Sequence, residues 1–366
     1  MYKKILSISA ALIFTGQVNA QQKPKVPHRS LLEAKNSTEL QAIFEQNVQA
    51  ELTYAKEVLG LSLAPQILAN GGVMQLVGVT QNGIPQYIKT DNAGAAKTIG
   101  TDKVNPGGSL GLSLSGSGLT NRIGVWDGGA VRLTHQEFQS RAVQTDGATN
   151  LIDHSTHVAG TMVGGGVQAN AKGMSFQAPL KCYEWTNDNS EMSTAAAAGM
   201  LISNHSYGSV CGWEYDDVTP QWKWHGDVSI SNTEDINFGI YDAESQSWDQ
   251  IVYSNPFYIP FKSAGNDRGD VPSTSDPKVF YNGNTGTWDV FSGATPPADG
   301  PYDCVSTYGN AKNIITIGAV NKITNGWTSA SSVVMSSFSG WGPTDDGRIK
   351  PDICAAGVNL TSSFSA

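Results

Sequence analysis

The chain has 366 residues, of which 39% are hydrophobic and 15% are charged, and its formal net charge is −9. The hydrophobic share is ample for a packed core and excludes an intrinsically disordered chain. The acidic balance argues against a nucleic-acid-binding protein, because phosphates call for a basic face. Forty glycines together with few charged residues are typical of a loop-rich α/β protein.

The N-terminus has the pattern of an export signal. Lys3 and Lys4 precede a short apolar run from Ile5 to Phe14, and Val18-Asn19-Ala20 offers the small residues that a signal peptidase reads. The run is too short to cross a membrane as a helix. We therefore assign residues 1–20 to a signal peptide and predict a secreted protein, extracellular or periplasmic, without membrane contact once the signal is removed. A helical core or an amphipathic anchor is the alternative.

A small N-terminal region is predicted for residues 21–84. Apolar side chains recur mostly at helical spacing between Ser30 and Leu59, and Gly60 ends that pattern. Residues 73–79 and 86–89 then have the composition of short strands.

From residue 85 onward, strands alternate with helices. Strands are predicted at residues 123–126, 180–185, 201–203, 258–263 and 314–320, and helices at residues 95–104, 155–163, 192–200 and 243–253. This alternation predicts a parallel sheet covered by helices on both faces. Ligands bind such sheets at the carboxyl ends of the strands. Asp127, Ser206 and Asn266 each follow a predicted strand, so topology alone places candidate functional residues at one edge.

Asp127, Asn266 and a histidine, His157, have side chains suited to acyl transfer by a serine. That chemistry needs a base, a carboxylate that orients the base, and donors for the oxyanion. His157, near the start of a predicted helix, is the candidate base because a neutral imidazole titrates near neutral pH. Asp127 ends a buried strand and can present a fixed carboxylate, and Asn266 can aim its amide at a developing alkoxide. Taken singly, each has a structural explanation as a cap, a turn residue or a satisfied histidine.

Taken together, the surrounding motifs resemble a known family. Val125–Gly129, His154–Thr161 and Ser263–Asn266 resemble, in the same order, the aspartate, histidine and oxyanion-asparagine motifs of the subtilisin-like serine proteases. The resemblance covers about residues 90–366. It implies a subtilisin-like α/β fold, with a parallel β-sheet and helices on both faces.

The resemblance also implies a role for each candidate residue. Asp127 would orient His157, which would act first as general base and then as general acid, and Asn266 would stabilise the oxyanion. Residues 85–366 are then a partial peptidase domain of a secreted serine-type endopeptidase. Residues 21–84 are then propeptide-like, with a plain N-terminal extension as the alternative.

A further segment implies how substrate is held. Ser203–Gly208 resembles the family segment that pairs with substrate as an extended strand, which makes Ser206, Tyr207 and Gly208 the candidate substrate-binding residues. Protein or peptide substrates are implied, while no organic cofactor and no catalytic metal are. The resemblance leaves room for structural calcium. Glu137 lies in a piece that often carries a calcium ligand, and an exposed carboxylate without a metal is the alternative.

The chain departs from the family pattern at several positions. Ser155 replaces the glycine usual in the histidine motif, and Asp127 to Gly129 lacks the common hydroxyl residue. Residues 211–235 and 267–307 exceed the family's compact form. The tryptophans of the first insertion suit either packing of the loop or a surface for substrate or carbohydrate.

The nucleophile of the family lies in a Gly-Thr-Ser-x-Ala-type segment, which residues 1–366 lack. Ser109 fits a G-x-S-x-G pattern, but Pro106 precedes it and no helix pattern follows. Ser362 follows a threonine, but no glycine precedes that pair. We therefore expect the natural gene product to continue past Ala366, and the fold and the activity of the 366-residue chain to be incomplete. The alternative is a non-catalytic, peptide-binding protein on a protease scaffold.

The sequence does not determine whether the four cysteines form disulfides. Cys182, Cys211, Cys304 and Cys354 are widely spaced and include no C-x-x-C, which does not indicate a zinc cluster. In a secreted protein they are allowed to pair, and free buried thiols are equally compatible with the sequence.

Overall fold

A computed structural model describes most of the chain: residues 26, 46, 49–63, 66–67, 73–79, 85–89, 92–216, 219–231, 233–282, 285–291 and 302–365. The predicted signal peptide, residues 1–20, lies outside this set. The chain divides into two compact units, one made of residues 1–66 and 74–88 and the other of residues 67–73 and 89–366.

The described residues of the N-terminal part include a helix and a small sheet. Helix α1 covers residues 49–57, and strands β1 (Gln66–Ile67), β2 (Val73–Val79) and β3 (Pro85–Lys89) form a three-stranded sheet in that order. The predicted strands at 73–79 and 86–89 are confirmed. The predicted helical pattern is confirmed for residues 49–57, while residues 30–45 lie outside the described residues. The buried side chains of this part form one apolar cluster of Val26, Tyr54, Ala55, Leu76 and Val79.

The larger unit alternates strands with helices, as predicted. Its elements in chain order are α2 (Asn92–Ile99), α3 (Thr101–Val104), β4 (Ile123–Asp127), β5 (Ala142–Gln144), α4 (Asp153–Val163), β6 (Leu180–Glu184), α5 (Asp188–Ala197), β7 (Ile202–His205), β8 (Trp213–Asp216), β9 (Gln221–Trp224), α6 (Ala243–Ser254), β10 (Ile259–Ser263), β11 (Lys278–Asn282), β12 (Thr287–Val290), β13 (Ile315–Val320) and β14 (Ile353–Ala356). The single helix predicted at 95–104 is two helices. Gly100 separates them with a φ of 78°, a conformation that glycine adopts readily.

Seven strands form the central sheet in the order β14-β13-β10-β7-β4-β6-β5. Every pairing among them is parallel. Successive side chains of β4 point to opposite faces. Val125 joins the apolar cluster that includes Ala159 and Val163 of α4, and Trp126 joins the cluster that includes Met192 of α5 and Trp248 of α6. Apolar cores therefore lie on both faces, and the predicted α/β fold with helices on both faces is confirmed.

The two insertions build a second, four-stranded sheet of order β12-β11-β9-β8. Its central pair, β9 and β11, is parallel and joins the first insertion to the second. Trp213 and Trp224 are buried against each other, with ring centroids 5.1 Å apart. Packing of the inserted loops, one of the two predicted explanations, accounts for these two tryptophans.

Candidate active site

Three neighbouring strands of the sheet deliver the candidate residues to one edge. Strand β4 ends at Asp127, β7 leads into Ser206, and β10 leads through Gly265 into Asn266. Gly265 has a φ of 92°, which turns the chain sharply at that point. Because all three strands run in parallel, their carboxyl ends lie at the same edge, as the sequence predicted.

Asp127 is paired with His154 in the first turn of α4. The His154 Nδ1 atom lies 2.7 Å from Asp127 Oδ1, and the Asp127 side chain is 1% exposed. Since a carboxylate only accepts, Nδ1–H donates and the lone pair of the ring is left on Nε2. This hydrogen bond raises the pKa of His154. The pair has the geometry of an oriented general base.

The expected pair of Asp127 with His157 is wrong. His157 lies one turn further along α4, where its Nε2 is 3.4 Å from the carbonyl oxygen of Leu360 and its ring contacts Phe364 edge-on. Burial lowers the pKa of His157. Residues three apart on a helix share a face but differ by about 4.5 Å along its axis. Only the first turn of α4 therefore reaches the end of β4. Both histidines belong to the same motif, so His154 could have been considered as the base from the sequence alone.

The predicted substrate segment borders the same cleft, together with Asn266. The Tyr207 hydroxyl donates to Asp188 Oδ2 at 2.7 Å and lies 2.9 Å from Nδ1 of the buried His205. These contacts fix the position of the Tyr207 side chain and so of the predicted substrate segment. A Cβ atom on Gly208 would lie 3.3 Å from Ser306 Oγ, so the absence of a side chain keeps the cleft open there.

The cleft has a volume of about 1190 Å³ and is lined by His154, His157, Ser206, Tyr207, Gly208 and Asn266 among others. Lys262 also lines it, although only 2% of this residue is exposed. Its ammonium donates to the carbonyl and hydroxyl oxygens of Ser263 at 2.8 and 3.1 Å. Burial lowers the pKa of Lys262 to about 7. The sequence interpretation did not single out this cation.

Neither of the two serines considered as nucleophiles forms a hydrogen bond with a histidine of the described residues. Ser109 lies in an exposed turn instead of between a strand and a helix. Ser362 is buried against Gly160 of α4, and its hydroxyl has no hydrogen-bond partner among the described residues.

Glu137 does not fit the calcium ligand that the sequence suggested. It is 1% exposed, so the expectation of an exposed carboxylate is also wrong. Its carboxylate accepts the amide protons of Gly166 at 2.6 Å, Val167 at 3.1 Å and Gln168 at 2.7 Å. Calcium binds where oxygen atoms converge, whereas this carboxylate is surrounded by N–H donors. The described part of the chain also contains no group of three side chains suited to a metal ion.

Of the four cysteines, Cys182, Cys211 and Cys304 are buried, and Cys354 is exposed. Within the described residues, no helix has the length and apolar character needed to cross a membrane.

Comparison with known proteins gives matches of three kinds. The model of the subtilase family matches residues 131–366. The C5a peptidases of two Streptococcus pyogenes serotype M3 strains are each 46% identical to the chain over 56 residues, which is 15% of this chain and 4% of theirs. Similar solved structures include the Clostridium perfringens CspB protease (TM-score 0.45, 12% identity, 74% of this chain and 81% of that one). A cold-adapted subtilisin-like serine proteinase also matches (TM-score 0.38, 17% identity, 67% and 65% coverage).

Proposed function

The chain belongs to the subtilase family of serine proteases, and from that membership we propose that it serves a secreted endopeptidase which cleaves peptide bonds by Ser-His-Asp acyl transfer. The observation that carries the proposal is the 2.7 Å hydrogen bond between Asp127 and His154 at the carboxyl end of β4. A buried carboxylate that fixes the tautomer of a cleft-lining imidazole is the arrangement that activates a serine.

Each residue of the site has a step in this mechanism. Nε2 of His154 takes the proton of the serine hydroxyl and later gives it to the leaving amine. Asp127 keeps the proton on Nδ1 and stabilises the imidazolium that forms. The amide of Asn266 donates to the oxyanion, and the loss of such a donor in a related subtilase costs about 10²–10³ in turnover.

Substrate is proposed to bind as an added strand beside Ser206, Tyr207 and Gly208. Main-chain hydrogen bonds to an extended peptide give affinity without a fixed sequence. The contacts of Tyr207 with Asp188 and His205 support this role, because they hold the backbone of the segment in one position.

The remaining parts of the sequence prediction belong to the same proposal. Residues 1–20 direct export, residues 21–84 act as a propeptide-like region, and residues 85–366 contribute to the peptidase domain. The nucleophile is assigned to a Gly-Thr-Ser-x-(Ala/Ser)-x-Pro segment of the natural gene product, which residues 1–366 do not contain. Ser362 is an unsuitable alternative because its hydroxyl is buried against Gly160 and bonds no histidine.

The test uses the natural gene product in full, whatever its length, with casein as substrate and a fluorophosphonate as label. We expect proteolysis that the label abolishes, and mass spectrometry should find the label on a serine of the stated motif. His154→Ala should remove activity and labelling, whereas His157→Ala should retain most of both. A folded gene product that takes no label, cleaves nothing and still binds extended peptides would refute the enzyme in favour of the peptide-binding protein. Activity lost with His157 and kept without His154 would refute the assignment of the base.

A further inference from the structure

The hydroxyl groups of helix α4 are used in two different ways. Thr156 donates to the carbonyl oxygen of Ile152 at 3.1 Å, and Thr161 donates to that of His157 at 3.0 Å. Both are ordinary bonds back to the preceding turn of the helix. Ser155 is fully buried and instead donates to Asp127 Oδ1 at 3.1 Å. A hydroxyl has one proton to give, so Ser155 supports the carboxylate and not its own helix.

The carboxylate of Asp127 is held by one of its two oxygens. Oδ1 accepts from His154 Nδ1 at 2.7 Å, from the backbone N–H of Gly128 at 2.8 Å and from Ser155 at 3.1 Å. Oδ2 is buried and has no partner among the described residues. The last torsion of an aspartate is broad and nearly two-fold. Since its two oxygens are equivalent, what the donors on Oδ1 fix is the angle at which the carboxylate plane meets the imidazole.

A side chain at position 128 has no room to supply such a donor. A Cβ atom on Gly128 would lie 2.9 Å from the ring of Trp185, well inside van der Waals contact. Trp185 occupies this space because its short 3₁₀ helix directly follows β6, the strand beside β4. The side-chain donor to Asp127 thus comes from α4, whose first turn brings His154 and Ser155 to the same oxygen atom.

From this geometry we propose that Ser155 is a positioning residue of the active site. Its hydroxyl holds the Asp127 carboxylate in the one orientation that keeps His154 correctly oriented. The inference rests on the proposed function, since it acts through the base of that mechanism. The proposed role also explains why a serine stands at the position where the histidine motif usually has glycine.

The kinetic test compares three forms of the full gene product on a chromogenic peptide. These are the wild type, Ser155→Ala and the control Ser362→Ala, which removes another buried hydroxyl, one without a hydrogen-bond partner among the described residues. We expect Ser155→Ala to lower kcat about tenfold at unchanged KM, as the loss of a hydrogen bond to a charged group does. The control should keep the wild-type kcat. Equal kcat values for wild type and Ser155→Ala would overturn the proposal.

A spectroscopic test does not depend on turnover. The Nδ1 proton of His154, followed by NMR in the same proteins, should exchange with solvent about tenfold faster in Ser155→Ala than in wild type, because the carboxylate that shields it is freed. If Ser155→Ala does not fold, Ser155→Gly removes the same hydroxyl with less bulk and should show the same change. Unchanged exchange in a folded variant refutes the role of Ser155. A wild type without proteolysis refutes the proposed function alone, since the exchange rates still decide the role of Ser155.

Discussion

Replacing Asp127 by asparagine should abolish catalysis while leaving the fold in place. The two side chains have nearly the same shape, and the amide oxygen of the new side chain can accept from Gly128 and Ser155 as Oδ1 does now. The same oxygen can still accept from His154 Nδ1, so the amide nitrogen takes the place of Oδ2, which is buried and has no partner among the described residues. The side chain is then neutral. It can no longer stabilise the imidazolium that forms when His154 takes the proton of the serine.

The expected loss follows from that loss of negative charge beside the base. The same substitution in a serine protease of unrelated fold lowers kcat about 10⁴-fold, which corresponds to about 5.5 kcal/mol of transition-state stabilisation. We expect a loss of up to this size here because the Asp127 side chain is only 1% exposed, so water cannot replace the lost charge. The KM of a peptide substrate should change little, since Asp127 lies behind His154.

The assay combines turnover with a direct view of the histidine. Steady-state kinetics of the full gene product give kcat, and ¹⁵N NMR of His154 across a pH titration gives the pKa of its ring, which the hydrogen bond with Asp127 raises in the wild type and which should fall in the variant. Asp249→Asn is the matched control, because this buried carboxylate bonds the backbone of Lys312 and Asn313 instead of a histidine. It should affect thermal stability but not kcat. A loss of kcat of less than about tenfold in Asp127→Asn, or an unchanged pKa of His154, would refute the reasoning.

Two further predictions concern buried charges. Lys262→Met should stabilise the protein most below pH 7. The folded-state pKa of about 7 lies below the usual 10.5, so wild-type stability rises from pH 7 toward 10.5 as the folded state releases a proton that the unfolded chain keeps. The advantage of the variant, on the order of a few kcal/mol, should shrink between thermal melts at pH 6 and pH 9; a constant or growing advantage would contradict this. Glu137→Gln should lower the free energy of unfolding by about 2–4 kcal/mol, because a charged acceptor of three amide protons becomes partly a donor. Urea titration measures the change, and a loss below about 0.5 kcal/mol would count against it.

Most of the central sheet was predictable because its signals are local, although β5 and β14 were not predicted. Apolar runs such as residues 123–126 and 258–263, separated by helical patterns, specify parallel strands with covered faces wherever they pair. The four-stranded sheet of the insertions was not predictable. It depends on the parallel pairing of β9 with β11. These two strands are far apart in sequence, and their residue patterns do not indicate which strand each one pairs with.

The position of the candidate site in the fold was predictable, but the contacts among its residues were only partly predictable. Asp127, Ser206 and Asn266 follow strands, so their meeting at one edge follows from strand direction alone. The choice between His154 and His157 does not, since both lie on one face of α4. Glu137 illustrates the same limit, because the amides that its carboxylate accepts from come from a loop some thirty residues later.

The sequence by itself determined the family, most strands and helices of the central sheet, and the edge of that sheet where the chemistry is placed. Those properties reside in short motifs and in the period of apolar residues, which act within a few residues along the chain. Only the tertiary structure decided that Asp127 meets His154, that Ser155 joins it there, and that Lys262 is buried beneath the cleft. The physical reason is that helix packing, through the depth and rotation at which α4 lies on β4, selects among side chains that local patterns leave equivalent.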